Sequence, residues 1–120
     1  MIKMLKFASL PVSDQERSVA FFTEKLGFKV MTDQKFDESQ RWIELGIGNS
    51  QTGIVLFTPQ EHADRIGTYS GLSFKCDNMD KTYAELRERG VEFLGPPKRE
   101  SWGTSVRFKD PDGNIFVMSE

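Results

Sequence analysis

Few side chains in this sequence could carry out chemistry unaided. His62 is the one histidine and Cys76 the one cysteine. Zinc and non-haem iron sites usually draw on two or three such ligands, so a conventional metal centre would need carboxylates or a second chain. His62 lies beside Glu61 and Asp64 and reads as a solvated surface histidine; no spacing supports a site built from it with Glu61 or Glu44. Cys76 alternates with Leu72 and Phe74, the pattern of a small buried hydrophobe rather than a nucleophile. Asp110 and Asp112 resemble a carboxylate pair, but Asp110-Pro-Asp-Gly113 is type I turn chemistry, with proline second and glycine fourth, and the turn accounts for both. Asp14 and Asp77 belong to helix starts. There is no glycine-rich phosphate loop and no serine–histidine constellation. The sequence therefore assigns no catalytic residue and no cofactor.

The elements that would position any site follow from pattern. A chain of 120 residues suits a single domain, 1–120. Its longest apolar runs fall far short of the roughly 20 residues a membrane helix needs, so no membrane partner is expected. The start is basic, but Pro11 and Ser13 interrupt it and no cleavage pattern follows, which argues against a signal peptide. A lone cysteine permits no internal disulfide and fits the cytoplasm. The formal net charge is -2 and the 16 lysines and arginines are dispersed, which argues against nucleic acid as a partner.

The chain repeats itself. Phe7–Asp14 reads as a strand and cap, Gln15–Lys25 as a helix closed by Gly27, and Phe28–Asp33 as a strand. Gly71–Asn78, Met79–Arg89, Gly90 and Val91–Leu94 repeat that order, with Ser9 falling on Ser73, Ala20 on Ala84 and Glu24 on Glu88. Ser13 and Glu16 have the spacing of a capping box, and Gly27 and Gly90 stand where a left-handed residue ends a helix. Val19, Phe22 and Leu26, then Met79, Tyr83 and Leu86, form helix faces turned to a core. Two strands follow each unit, Arg41–Ile47 with Ile54–Phe57 and Thr104–Phe108 with Ile115–Ser119. The predicted fold is α+β: two tandem β-α-β-β-β modules, halves 1–59 and 68–120 joined by linker 60–67, forming a cupped mixed sheet with helices on its outer face. Gly95–Ser101, with its paired prolines, reads as loop.

Alternation assigns strand faces. Ala8, Leu10 and Val12 turn to the first helix, and Leu72, Phe74 and Cys76 to the second. Phe7 and Ser9, and Gly71, Ser73 and Lys75, then point away. So do Trp42 with Glu44, Ser105 with Arg107, and, on this reading, Ile54, Leu56, Ile115 and Val117. Apolar walls with a few polar groups describe a small-molecule cavity, and equally a dimer interface. Glu44 and Arg107 occupy equivalent places in the halves, which suggests opposed charges across the cavity. Trp42 and Trp102 are candidates for stacking on a planar ligand. Trp102 follows the Pro-Pro loop and would serve either as a rim residue or as that loop's anchor.

Leu10-Pro-Val-Ser-Asp-Gln-Glu-Arg-Ser-Val-Ala-Phe-Phe-Thr-Glu-Lys-Leu-Gly-Phe-Lys-Val30 and Phe108-Lys-Asp-Pro-Asp-Gly-Asn-Ile-Phe-Val-Met-Ser-Glu120, set in this paired order, resemble the vicinal oxygen chelate superfamily of glyoxalases, extradiol dioxygenases and bleomycin-resistance proteins. The resemblance implies fold more than reaction. Metal-dependent members carry ligands on the open face of the first and last strand of each half. By motif spacing these fall at Phe7, Gly71, Val117 and near Leu56, none of which coordinates, so no metal ligand is expected. Metal-free relatives that sequester drugs are the better match, and a homodimer is implied by the resemblance alone.

Three functions stay open on this reading. The first is a metal-independent small-molecule binding protein for an aromatic or amphipathic compound, with Phe7, Ser9, Trp42, Glu44, Leu56, Ser73, Trp102, Arg107 and Val117 as its candidate ligand-binding residues. The second is an enzyme of the same superfamily with a nonstandard metal or acid/base site, Glu44 being the first choice of base. The third is an interaction module whose cup is filled by its own partner subunit.

Overall fold

Asp14 begins the first helix by accepting a hydrogen bond from the Arg17 N–H at 3.1 Å, and Gln15–Ala20 (α1) follows. The expected Ser13–Glu16 box does not form. Asp14 directly precedes the first helical residue and caps it instead, Ser13 Oγ accepts from Arg17 Nη2 at 2.9 Å, and Glu16 is drawn to Arg41. The helix continues as a π-helical segment, Phe21–Lys25. Its wider turn brings two adjacent aromatics, Phe21 and Phe22, into the core, where a 3.6-residue period had placed only Phe22. Gly27 ends the helix at φ 78°, the left-handed conformation expected of it.

The computed structural model describes every residue except Phe36, Ser39 and His62, so readings that involve His62 lie outside the described residues. The chain divides into two compact units, Met1–Ile66 and Gly67–Glu120. The fold is α+β, with one mixed sheet in each unit.

The first unit contains Phe7–Pro11 (β1), Lys29–Lys35 (β2), Arg41–Gly46 (β3) and Gly53–Phe57 (β4), in the order β1-β4-β3-β2. β1 and β4 are parallel and the other pairs antiparallel, with a bulge in β2 between Val30 and Thr32. Leu10, Ile43, Leu45, Leu56 and Phe22 are buried on the helix side. A 3₁₀ turn, Ala63–Arg65, closes the unit.

The second unit contains Tyr69–Lys75 (β5), Met79–Glu88 (α2), Glu92–Phe93 (β6), Lys98–Glu100 (β7), Gly103–Lys109 (β8) and Ile115–Ser119 (β9). β5-β9-β8-β6 is the sheet order, β5 and β9 are parallel, and β7 also pairs with β8. Asn78 caps α2 by accepting from the Lys81 N–H at 3.1 Å, and Gly90 ends it at φ 90°. The core is aromatic: the Phe108 and Phe116 rings stack with centroids 5.3 Å apart, and Phe74 lies 5.7 Å from Phe116. Two expectations are corrected here. Lys98–Glu100, read as loop, is a strand, because the prolines at 96 and 97 precede it and leave its own N–H groups free to pair. The first strand of this half begins at Tyr69 rather than Gly71; Gly71, at φ 75°, sits in an irregularity where the pairing shifts between Tyr69 and Ser73.

Candidate functional site

Directly paired residues share a sheet face, so the registers place each candidate side chain. In the first unit Ser9 pairs with Val55, Val55 with Glu44, and Glu44 with Thr32. That row lies on the face opposite the helix. Leu10, Leu56 and Ile43 form the adjacent row on the helix side. Leu56 is therefore a core residue at 0% exposure, not an open-face one, and with it Ile54; Val55 and Phe57 take their place on the open face. The run Ile54-Val-Leu-Phe57 is apolar at every position, so alternation could not choose its register.

Phe7 and Trp42 meet edge-to-face on this surface, with ring centroids 5.4 Å apart. Val55 lies on the central strand between Ser9 and Glu44 and is only 2% exposed, although no helix covers its face. Phe7 and Trp42 line the same cleft as Val55. Phe7, Ser9, Trp42, Val55, Leu56 and Phe57 line a cleft of about 350 Å³, bordered by Gln40 and Arg41. Its walls are apolar, and Ser9 and the half-buried Glu44 supply polar groups on the same face.

The mouth of this cleft is fixed by side chains that the sequence did not single out. Gln15 Nε2 donates to the Arg41 carbonyl at 2.8 Å and the Leu56 carbonyl at 3.0 Å, and Gln15 Oε1 accepts from the Arg41 N–H at 3.3 Å. One buried amide thus joins α1 to both strands that carry Trp42 and Phe57. A glutamine at a helix start looks like a solvated residue in sequence, and only packing reveals the role. The Arg41 guanidinium reaches Asp33 with two bonds, 2.7 and 3.0 Å, and also contacts Glu16. It holds the Asp33 carboxyl below the usual aspartate range, chiefly through those hydrogen bonds. A larger polar hollow of about 520 Å³ lies around this cluster, but Glu16 and Asp33 are already engaged by Arg41.

In the second unit the equivalent row is Ser73, Val117 and Arg107. Beside it run Lys75, Ser119 and Ser105. Arg107 places its guanidinium carbon 5.7 Å from the Tyr69 ring centroid, a cation–π contact. Trp102 is 70% exposed in the turn between β7 and β8, so it does not anchor its loop as a buried side chain. Cys76 is half-buried; burial, with the charges of Glu120 and Asp77, raises its thiol pKa and keeps it protonated at neutral pH. Asp110 is 5% exposed. It accepts from the Asn114 N–H, Asn114 Nδ2 and the Asp112 N–H at 2.8, 2.9 and 3.0 Å. Burial raises its pKa while these donors oppose the rise. It is a structural aspartate of the turn.

The side chains do not fit a metal centre of the resembled kind. Phe7, Gly71 and Val117 offer no donor, and neither does Leu56 nor its open-face neighbour Val55. Among the described residues no three histidine, cysteine or carboxylate side chains come together.

A sequence model of the glyoxalase/bleomycin resistance protein/dioxygenase superfamily matches residues 4–118, and the chain belongs to that superfamily. YetH of Bacillus subtilis is 33% identical over 120 residues and all of both chains. A superfamily member from Sphaerobacter thermophilus superposes with a TM-score of 0.91 at 34% identity, over 99% of this chain and 98% of that one. TnmS3 of Streptomyces sp. CB03234, described as an antibiotic binding protein, gives 0.85 at 34% identity, over 98% and 95%. No helix is long and apolar enough to cross a membrane among the described residues.

Proposed function

We propose that this chain binds a small planar organic molecule on the open face of its first sheet, without a metal. Phe7, Trp42, Val55 and Phe57 form the walls, and Ser9 and Glu44 orient a polar group of the ligand. The observation that carries this reading is the roughly 350 Å³ apolar cleft beside the Phe7–Trp42 pair. It has the size and lining of a small-molecule site. The similarity to TnmS3 supports the same reading at the level of ligand class.

Binding here needs no chemistry. Stacking on an aromatic wall contributes about 0.5–1.5 kcal/mol beyond the burial of its area, and a group held between Ser9 and Glu44 would be selected by hydrogen bonding. The test is a titration of the full, isotope-labelled chain with planar aromatic compounds, followed through the backbone amides of Ser9, Glu44 and Val55 and repeated with a chelator and with Trp42→Ala. Saturable binding that ignores the chelator and is lost in the variant is expected. Binding that needs a stoichiometric metal, or that persists in Trp42→Ala, would end the proposal. A homodimer and a cytoplasmic location belong to the same proposal; sedimentation at high micromolar concentration tests the first, and fractionation of the cells the second.

A further inference from the structure

The open face of the second sheet differs in kind from the first. Five of its positions are Ser73, Lys75, Ser105, Arg107 and Ser119, brought side by side by the pairing of β5, β9 and β8. The acids at its margin are already opposite cations: Glu92 pairs in register with Lys109, and Glu100 lies 3.5 Å from Lys98 Nζ. Arg107 and Lys75, in the middle, have no carboxylate partner among the described residues. Tyr69 holds the Arg107 guanidinium by its ring, a contact that uses no N–H group. The forked donors therefore remain available, next to hydroxyls that can donate as well. Gly71 adds room in the same strand, since a Cβ placed there would meet nothing within 4 Å.

We propose that this face is an oxyanion subsite, taking a carboxylate, phosphate or phosphonate group with Arg107 as its forked donor and Ser73, Ser105 and Lys75 around it. An arginine stays charged at any working pH and its planar fork matches two oxygens of such a group. Ser105 lies two residues along β8 from Arg107, while Ser73 and Lys75 lie two strands away on β5, about 9.6 Å across the sheet, a span that the long arginine and lysine side chains can bridge around one anion. The inference extends the binding reading to a second chemistry but stands on different residues, so the two can fail separately.

The test is a titration of the full, isotope-labelled chain at constant ionic strength with inorganic phosphate, phenylphosphonate, benzoate and the neutral benzyl alcohol. Saturable shifts at the amides of Ser73, Ser105, Arg107 and Val117 are expected with the anions and absent with the alcohol. Arg107→Met should weaken them at least tenfold, Arg107→Lys by an intermediate factor because it keeps the charge and loses the fork, and Tyr69→Leu less than either. Phosphate against the two organic anions separates a free inorganic ion from an anionic group on a larger ligand. Benzyl alcohol binding at Trp42 with no anion response in the second sheet would overturn this inference and leave the first-sheet reading intact. Anion binding with no response at Trp42 would do the reverse. Shifts that track ionic strength and ignore Arg107→Met would mark ordinary counterion screening, and the subsite would be withdrawn.

Discussion

Ser9–Val55–Glu44 and Ser73–Val117–Arg107 are the same row of the same sheet, built twice. The serine and valine are retained between the halves, and the third residue changes sign. The surroundings change with it. In the first sheet Phe7 and Trp42 close over the row, and Val55 is 2% exposed; in the second no such pair forms, and Val117 is only partly buried. One backbone plan therefore presents an apolar cleft on one sheet and a cationic, hydroxyl-rich surface on the other. Side chains at a handful of open-face positions set the chemistry of each surface, while the helix-facing residues are largely aliphatic in the first sheet and largely aromatic in the second.

The sharpest way to break this contrast is Trp42→Ala. It should reduce aromatic ligand binding more than tenfold while leaving the resonances of the second sheet in place, and an equal effect on both faces would show that the contrast is not local. Asp110→Ala should be next in size. It strands the Asn114 amide and two backbone donors, each costing about 1–3 kcal/mol when left unsatisfied, so a loss of roughly 2–4 kcal/mol is expected from urea unfolding. Hydrogen exchange should rise first in β8 and β9, which that turn joins.

Gln15→Ala is the counterpart in the first unit and should cost about 1–3 kcal/mol, with faster exchange in β3 and β4 and a weaker aromatic site. Ser18 gives a smaller change of opposite sign. Its hydroxyl is buried with no hydrogen-bond partner among the described residues, so Ser18→Ala should stabilise the chain by about 1 kcal/mol, read as a rise in urea midpoint. The smallest effect is the pH dependence of the Arg41–Asp33 pair. The Asp33 pKa is lowered in the fold, so its contribution is present above the ordinary aspartate pKa and is lost as pH falls through the lower folded value. An exposed pair of this kind contributes less than about 1 kcal/mol, and Arg41→Met should flatten the stability profile in that acid range by no more than this.

Much of the architecture was legible before any coordinates. Gly27 and Gly90, the Asp110–Gly113 turn and the alternation of β1, β8 and β9 each had a local cause, because caps, turns and period-two faces are set by neighbouring residues. The duplication was legible for the same reason: it is an order of local signals. Four features were not. The face of Ile54–Phe57 depends on which of its apolar residues meets Leu10 across a parallel pair, a choice made by packing. The π-helical segment that buries Phe21 beside Phe22 depends on the sheet beneath it. Asp14, which directly precedes the first helical residue, caps the helix in place of Ser13, and Glu16 is engaged by Arg41, distant in sequence. Gln15, a polar residue at an ordinary position, became the buried link between two strands.

The sequence by itself determined an α+β chain of this superfamily, with one order of elements repeated in its two halves. Only the tertiary structure decided which side chains stand together: that Phe7 reaches Trp42, and that Arg107 lies against the Tyr69 ring with no carboxylate partner among the described residues. The reason is physical. Propensity, capping and alternation act within a few residues, whereas a binding surface is a row across strands, and its membership is set by register.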